Sequence, residues 1–475
     1  MLLFEVFMNN KVNKVQFVKI SVVSALSVVA LAGCQATKVK TNVDKGMDTN
    51  LYQFVKNPKT VEQVQAIVKL ANQEGIALVP SGGRTGLSAG AVAANGELVV
   101  SFDYINQIRD FDPIDRTVVC GAGVITEQLQ HYAEEQGLFY PVDFASAGSS
   151  QIGGNIATNA GGIKVIKYGM TRDWVAGLTV VTGAGEILEL NQGLMKNNAG
   201  YDLRQLFIGA EGTLGFIVEA TMKLTRQPYD LTALVLGVPE FSAIMDVLNS
   251  FQSKMDLTAF EFFSEKALKK VVTHQNLQRP FETEAEYYAL LEFENINEET
   301  EAQAMELFEY CMEQGWVIDG VMSQSLEQLN NLWRLREDIS ETISQWTPYK
   351  NDISTVISKV PGFLNEVETL VDASYPNFEI IWFGHIGDGN VHLNILKPDQ
   401  LAKELFFEQC HVVSKGVFEI VEKYRGSVSA EHGVGLIKKD YLKYSRSSGE
   451  IALMKQVKVA FDPNGIMNPG KIFDL

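Results

Sequence analysis

An α+β fold in two domains is what this sequence predicts, and three observations carry the prediction. At 475 residues the chain is long enough to bury two or three separate cores. In its first half, KTVEQVQAIVKLANQEGIALVP (59–80) changes from helical to strand periodicity within a few residues. In its second half, FGHIGDGNVHLNI (383–395) reads as a strand folded back on itself at a Gly-Asp-Gly turn. The composition, 46% hydrophobic and 21% charged, is that of an ordinary globular protein. A net charge of −18 excludes a nucleic-acid partner, because a phosphate backbone needs a basic stripe. The sequence has no repeat at solenoid periods and no long biased tract.

Residues 1–50 differ from the rest. Residues 8–19 carry Lys11, Lys14 and Lys19 and no acid, and an apolar run, 20–33, ends at Cys34. This is the charged and apolar pattern of a secretory signal, too short to span a bilayer comfortably. LAGC (31–34) resembles a lipobox, which implies cleavage, acylation of Cys34 and a membrane-associated lipoprotein of a bacterial cell envelope. The alternative is a cytoplasmic protein whose apolar N-terminus is not processed. Cys120, Cys311 and Cys410 are isolated, and the sequence contains no CxxC, so no zinc ribbon or iron–sulfur cluster is encoded. They are expected to be buried small hydrophobes.

The first domain is expected over 51–226. Thr60 and Gln63 form a capping box, Val61, Val64, Ile67, Val68 and Ala71 recur at helical spacing, and Gly75 closes the helix. IALVP (76–80) follows as a short buried strand. SGGRTGLSAG (81–90) then brings backbone N–H groups together without bulk, a nest for phosphate oxygens. It lacks the Gly-Lys-Ser/Thr of a Walker loop and the glycine spacing of a Rossmann turn, while GAGVIT (121–126) is a lookalike without the third glycine. A second glycine-rich stretch, ASAGSSQIGGNIATNAGGIKVIKYG (145–169), is long enough that function is its expected reason for being there.

With NNAGYDLRQLFIGAEGTLGFIVEATMKL (197–224), these stretches resemble the FAD-binding domain of the vanillyl-alcohol-oxidase flavoprotein superfamily. The resemblance implies a PCMH-type domain of two α/β subdomains. Position by position, it implies that Pro80, Gly82, Gly83, Thr85, Gly86, Leu87 and Ser88 wrap the FAD pyrophosphate. Gly148, Ser149, Gly153, Gly154, Asn155, Thr158 and Asn159 would line the ribityl chain and isoalloxazine, and Glu211, Gly212 and Ile217 would close over the adenine side. Arg84 stands where relatives often carry Asn, or His when the flavin is covalently linked, so noncovalent FAD is expected. Ala89 replaces a loop glycine, and the segment before Thr60 is shorter than usual, which puts the first strand of the fold in doubt.

The second domain is expected over 227–475. His385 and His392 flank the Gly-Asp-Gly turn, and SAEHGVG (429–435) adds Glu431 and His432. Two imidazoles and a carboxylate suit zinc or another divalent first-row metal, with a position left for substrate. On an unbroken strand His385 and His392 would face opposite sides, so the turn has to fold them together; a hairpin with hydrogen-bonded polar side chains is the equal alternative from spacing alone. This half resembles the D-2-hydroxyglutarate and D-lactate dehydrogenases in LWRLREDIS (332–340), YKNDIS (349–354), GHIGDGNVHLN, SAEHGVG and FDPNGIMNPGKIF (461–473). The resemblance implies an α+β domain whose antiparallel sheet is flanked by helices, with His385, His392 and Glu431 as metal ligands and His432 as catalytic base. It implies Arg336 on the C1 carboxylate, Ser340 and Lys350 on a distal carboxylate, and Asn394 beside the metal; Ser340 is commonly Thr in relatives and keeps the hydroxyl. Read without it, Arg336 belongs to a solvated helix face beside Glu337 and Asp338, and Lys350 to the surface.

These groups suit oxidation of a 2-hydroxy acid, which loses a proton from the C2 hydroxyl and a hydride from C2. A Lewis acid sharpens the alcohol, a histidine takes the proton, and an arginine fork fixes the carboxylate. The Ser340–Lys350 pair favours a D-2-hydroxy diacid such as D-2-hydroxyglutarate over D-lactate or another monoacid, since lactate would leave a charged lysine unpaired. A flavin-carrying subunit without dehydrogenase activity is the alternative of another class, and a complete histidine cluster argues against it. The electron acceptor expected is quinone for a tethered enzyme or an electron-transfer flavoprotein for a cytoplasmic one.

Overall fold

The structure of the protein, a computed structural model, describes residues 57–475. The signal-like segment and Cys34 lie outside the described residues. α1 (Val61–Glu74) begins at Thr60, whose hydroxyl accepts from Gln63 N at 3.3 Å, and ends at Gly75 with φ +66°. The reciprocal half of the box is displaced by one residue, since Gln63 Oε1 accepts from Lys59 N at 2.7 Å. Its buried face, Val64, Ile67, Val68 and Ala71, packs on β1 (Leu78–Ser81) and β2 (Leu98–Ser101). These two strands pair in parallel, so their connection must loop back across the sheet, and the loop that does so is 82–97.

Beyond them lie β3 (Ile108–Asp112), β4 (Thr117–Gly121), β5 (Leu138–Phe139), β6 (Val175–Thr182), β7 (Ile187–Leu190), β8 (Gly215–Lys223) and β9 (Thr225–Arg226). Five of these form an antiparallel sheet in the order β3-β4-β8-β6-β7, while β5 and β9 pair separately. α2 (Thr126–Glu135) and α3 (Ile152–Thr158) bury Leu129, Ala133, Ile152 and Ile156 in a core with Val118, Val180 and Ala220 of the five-stranded sheet.

The second half is one seven-stranded sheet built from β10 (Asp230–Val238), β11 (Leu257–Ser264), β12 (Tyr287–Asn295), β13 (Asp319–Met322), β14 (Tyr349–Ser354), β15 (Glu379–Gly384) and β16 (Asn390–Leu396). Their order is β13-β10-β12-β11-β15-β16-β14, with every pairing antiparallel. Side chains alternate between the two faces. Phe260, Phe262, Leu291, Phe293, Leu393 and Ile395 face one core, shared with α4 (Phe241–Gln252), α6 (Glu298–Glu313), α8 (Val360–Ser374) and α9 (Lys403–Lys423). Ala259, Phe263, Leu290, Ile381 and Phe383 face the other, shared with α5 (Glu265–Gln275) and α7 (Leu326–Glu337).

The tail crosses the division read at residue 226. α10 (Ser448–Phe461) packs Phe461 on Phe207 with ring centroids 5.1 Å apart. Leu78 N donates to Ile466 O at 2.8 Å and Asn468 N to Leu78 O at 2.7 Å, so the C-terminus extends the small sheet of the first half. Lys458 fastens this return: buried, it donates to Thr213 O, Asp462 Oδ2 and Met467 O at 2.7–2.9 Å. The three cysteines of the described residues are buried and unpaired, as expected.

Candidate active site

A cavity of about 1190 Å³ runs from the glycine loops to Ser340, Lys350, Glu431 and His432. All the residues expected to hold FAD border it except Ser149 and Asn159. Ser149 instead backs the first loop: a Cβ on Gly83 would sit 2.2 Å from Ser149 O, so the two loops touch backbone to backbone. Asn159 caps α3 in the left-handed conformation, φ +51°, with its side-chain Oδ1 accepting from Arg172 N at 3.0 Å. A Cβ on Gly86 or Gly154 would meet nothing within 4 Å, so bare backbone there borders open space. A long cavity walled by bare backbone fits a flat, diphosphate-bearing dinucleotide. The lookalike 121–126 is different: a Cβ on Gly123 would lie 2.1 Å from Phe102 O, so its glycines serve packing. Arg84 (φ +61°) and Ala89 (φ +59°) both sit in left-handed backbone, which explains why Asn and Gly suit those positions better.

Two residues expected on the cofactor spend their polar atoms elsewhere. Ser88 Oγ donates to His432 O at 2.7 Å. Glu211 accepts from Val434 N at 2.7 Å and Gly435 N at 2.8 Å. Burial pushes the Glu211 carboxyl up to about 7 against those two hydrogen bonds. Both residues clamp the loop carrying Glu431 and His432 onto the first half.

Strand register assembles the second half of the site. Asp352 of β14 and Phe383 of β15 are both paired with His392 of β16, and Lys350 and Ile381 are both paired with Asn394. Lys350, Asp352, His392 and Asn394 therefore share one face, the face of Glu261 on β11. The turn does fold the histidines together: Gly389 has φ +86°, and the His385 and His392 rings lie 5.2 Å apart between centroids. Ligand atoms of His385, His392 and Glu431 lie within 4.8 Å of one another, and both histidines are buried. Two imidazoles and a carboxylate converging in a buried pocket fit a divalent cation such as zinc.

The surrounding shell was not legible from spacing. Glu261 Oε1 lies 2.8 Å from His385 Nδ1, which turns His385 Nε2 toward Glu431 Oε1 at 3.5 Å. Burial opposes charge on His385, but Glu261 and Glu431 hold its pKa well above the usual value. Burial and neighbouring His385 drive His392 well below it. Asp352 is the hub: its Oδ2 accepts from Glu431 N at 3.0 Å and His432 N at 3.1 Å and lies 3.3 Å from His432 Nδ1. Its Oδ1 accepts from Asn390 Nδ2 at 2.8 Å. Burial would protonate it, yet His432, Lys438 and His392 keep it ionised far below the carboxylate range. Asp352 thus ties Glu431 and His432 to β14, and its carboxylate also lies within 4.8 Å of ligand atoms of Glu431 and His432. A charged residue inside an apolar strand pattern, as in TAFEFF and YKNDIS, is the signal that would have found Glu261 and Asp352.

Arg336 corrects the helix-face reading. It is buried, stacks on Phe383 with its guanidinium carbon 4.7 Å from the ring centroid, and places Nη2 2.8 Å from Glu261 Oε2. Its Nε has no hydrogen-bond acceptor among the described residues, while half-buried Arg334 takes Asp338. Lys350 is likewise no surface lysine: burial lowers its pKa, and its Nζ donates to Ser340 Oγ at 2.8 Å. Asn394 is buried beside His392, its amide donating to His392 O at 3.3 Å. Arg336, His385, His392 and Asn394 lie behind the cavity wall, whereas Ser340, Lys350, Glu431 and His432 border it.

Residues 52–191 match the FAD binding domain, and residues 227–472, more than half of the chain, match the C-terminal domain of FAD linked oxidases. The chain is 70% identical to a D-2-hydroxyglutarate dehydrogenase of Stutzerimonas stutzeri over 88% of its own length and 90% of that protein's. It is 36% identical to the mitochondrial D-2-hydroxyglutarate dehydrogenase of Danio rerio, over 87% and 77% of the two chains. Among solved structures, p-cresol methylhydroxylase shares the fold at a TM-score of 0.68 and 16% identity, covering 88% of each chain. An alkyldihydroxyacetonephosphate synthase does so at 0.65 and 19%, covering 87% of this chain and 76% of the other. Matched in both halves and at such identity along most of its length, the protein belongs to the FAD-linked D-2-hydroxyglutarate dehydrogenase family.

Proposed function

We infer that this protein is an FAD-dependent dehydrogenase that oxidises D-2-hydroxyglutarate to 2-oxoglutarate, assisted by a divalent cation, zinc by its donor set, on His385, His392 and Glu431. One observation carries the diacid: half-buried Lys350 borders the cavity with a neutral hydroxyl, Ser340, as its hydrogen-bond partner and no ion pair among the described residues. A second carboxylate is the missing counter-charge, whereas a monoacid leaves the lysine uncompensated. The relatives named for D-2-hydroxyglutarate, at 70% and 54% identity, support the same substrate.

The residues divide the work. Glu431, His385 and His392 hold the cation, and the cradle of both glycine loops holds the flavin. When bound, these groups supply Lewis acidity toward the C2 hydroxyl and an acceptor for the C2 hydride. Asp352 beside His432 Nδ1 favours the tautomer with a proton on Nδ1, leaving Nε2 free to accept the hydroxyl proton. Arg336, whose Nε has no acceptor among the described residues, takes the C1 carboxylate. Ser340 and Lys350 grip the far carboxylate and fix the distance from it to C2.

Anaerobic mixing of the purified protein with D-2-hydroxyglutarate tests the reading. Prompt bleaching of flavin absorbance, faster than with D-lactate or the L enantiomer, is the expected result; an unchanged spectrum overturns it. We propose further that Cys34 is acylated and that the anchored enzyme passes electrons to quinone. Mass spectrometry of the mature N-terminus tests the anchor: diacylglycerol on Cys34 supports it, and an intact Met1 refutes it.

A further inference from the structure

The loop that follows α3 in the flavin half reaches the metal-ligand cluster of the other half. Gly162 N donates to Glu431 Oε1 at 2.9 Å, and Glu431 Oε1 is the oxygen that faces His385 Nε2. The loop is held at both ends. Ala160 O accepts from Thr171 N at 3.0 Å and from Thr171 Oγ1 at 2.8 Å, and Ile163 N donates to Asp143 O at 3.2 Å. Glu431 is half-buried among charges, and a carboxylate there needs a fixed donor to choose one rotamer. We propose that Gly161 and Gly162 are positioning residues of the metal site, the Gly162 N–H fixing the Glu431 carboxylate and the bare Gly161 giving it room. The proposal rests on the reading of His385, His392 and Glu431 as metal ligands.

The two glycines are glycine for different reasons. At Gly162 φ is +120° and a Cβ would lie 1.9 Å from Asp143 O, so the backbone itself excludes any side chain. At Gly161 φ is not in the left-handed region, and a Cβ would lie 2.8 Å from Glu431 Oε1 and 3.5 Å from Val165 Cγ2. That clash is with the end of a flexible side chain. A methyl at 161 is therefore compatible with the fold and incompatible with the present position of the carboxylate. Gly161→Ala separates the two effects.

The experiment titrates chelator-stripped holoprotein with zinc against a chromophoric competitor, in wild type and Gly161→Ala. The expected result is an unchanged melting transition with a zinc Kd raised about tenfold or more, read per bound flavin because Gly161 borders the cavity. Equal zinc affinity in a folded variant overturns the proposal while leaving the metal site standing. A wild type that takes up no zinc overturns both. If Gly161→Ala does not fold, hydrogen exchange of the 157–168 segment decides: Glu431→Ala should speed exchange of one amide there, and an unchanged profile refutes the contact.

Discussion

The two halves build their shares of one cavity by opposite means. The flavin half uses backbone: loops whose glycines either press main chain against main chain, as Gly83 does on Ser149, or leave it bare, as at Gly86. The oxidase half uses side chains standing on β11, β14, β15 and β16, set by register to one face of a sheet. The first should fail when a methyl is added and tolerate changes of exposed chemistry; the second should tolerate small volume changes and fail when a functional group is lost.

The largest expected effect is in the oxidase half. His392→Ala should lower kcat by roughly three orders of magnitude or more and abolish stoichiometric zinc together, read by turnover and metal analysis on one preparation. Zinc retained in full would remove His392 from the ligand set. Next is the loop half: Gly83→Ala forces a methyl onto Ser149 O, and the purified protein should lose most of its FAD. A fully loaded variant would show that the loops separate without cost. Lys350→Met should raise KM for D-2-hydroxyglutarate by about 10- to 100-fold and hardly alter that for D-lactate. An equal rise for both would deny the distal-carboxylate role.

A smaller effect concerns the seam between the halves. Glu294 of β12 accepts from Lys167 Nζ at 2.9 Å and from Arg226 Nη1 at 2.8 Å. Burial raises its pKa, but the bonds from Arg226 and Lys167 win and hold it at about 2. A depressed carboxylate stabilises the fold fully above its ordinary value and loses that contribution as pH falls toward the folded value. Glu294→Gln should therefore cost roughly 1–2 kcal/mol at pH 7, and the gap from wild type should close between about pH 4.5 and pH 2, by denaturant titration. A gap independent of pH would assign the loss to packing. The smallest effect is a gain: Ala89→Gly, relieving φ +59°, should add roughly 0.5–1 kcal/mol of stability.

Legibility follows the same division. The glycine loops could be read because a backbone requirement is written in the residue itself. α1 could be read because its cap, apolar period and closing glycine are adjacent in sequence. The tendency of His385 and His392 to meet could be read because Gly387 and Gly389 allow the turn between them. By contrast, Arg336 looks like a solvated helix position until α7 is packed beneath Phe383. Ser88 and Glu211 border the cavity as expected of cofactor residues, but that the 432–435 loop also takes their hydrogen bonds is visible only in the fold.

The sequence by itself determined which segments bend, which expose bare backbone and which carry imidazole, carboxylate and guanidinium. Those are properties of single residues and of neighbours a few positions apart. Only the tertiary structure decided that Glu261 meets His385, that Asp352 meets His432, and that Gly162 meets Glu431 across 269 positions. Each of these contacts depends on strand order and on the docking of one half against the other. Such pairings are fixed by burial summed over whole sheets and cores, and no local pattern encodes that sum.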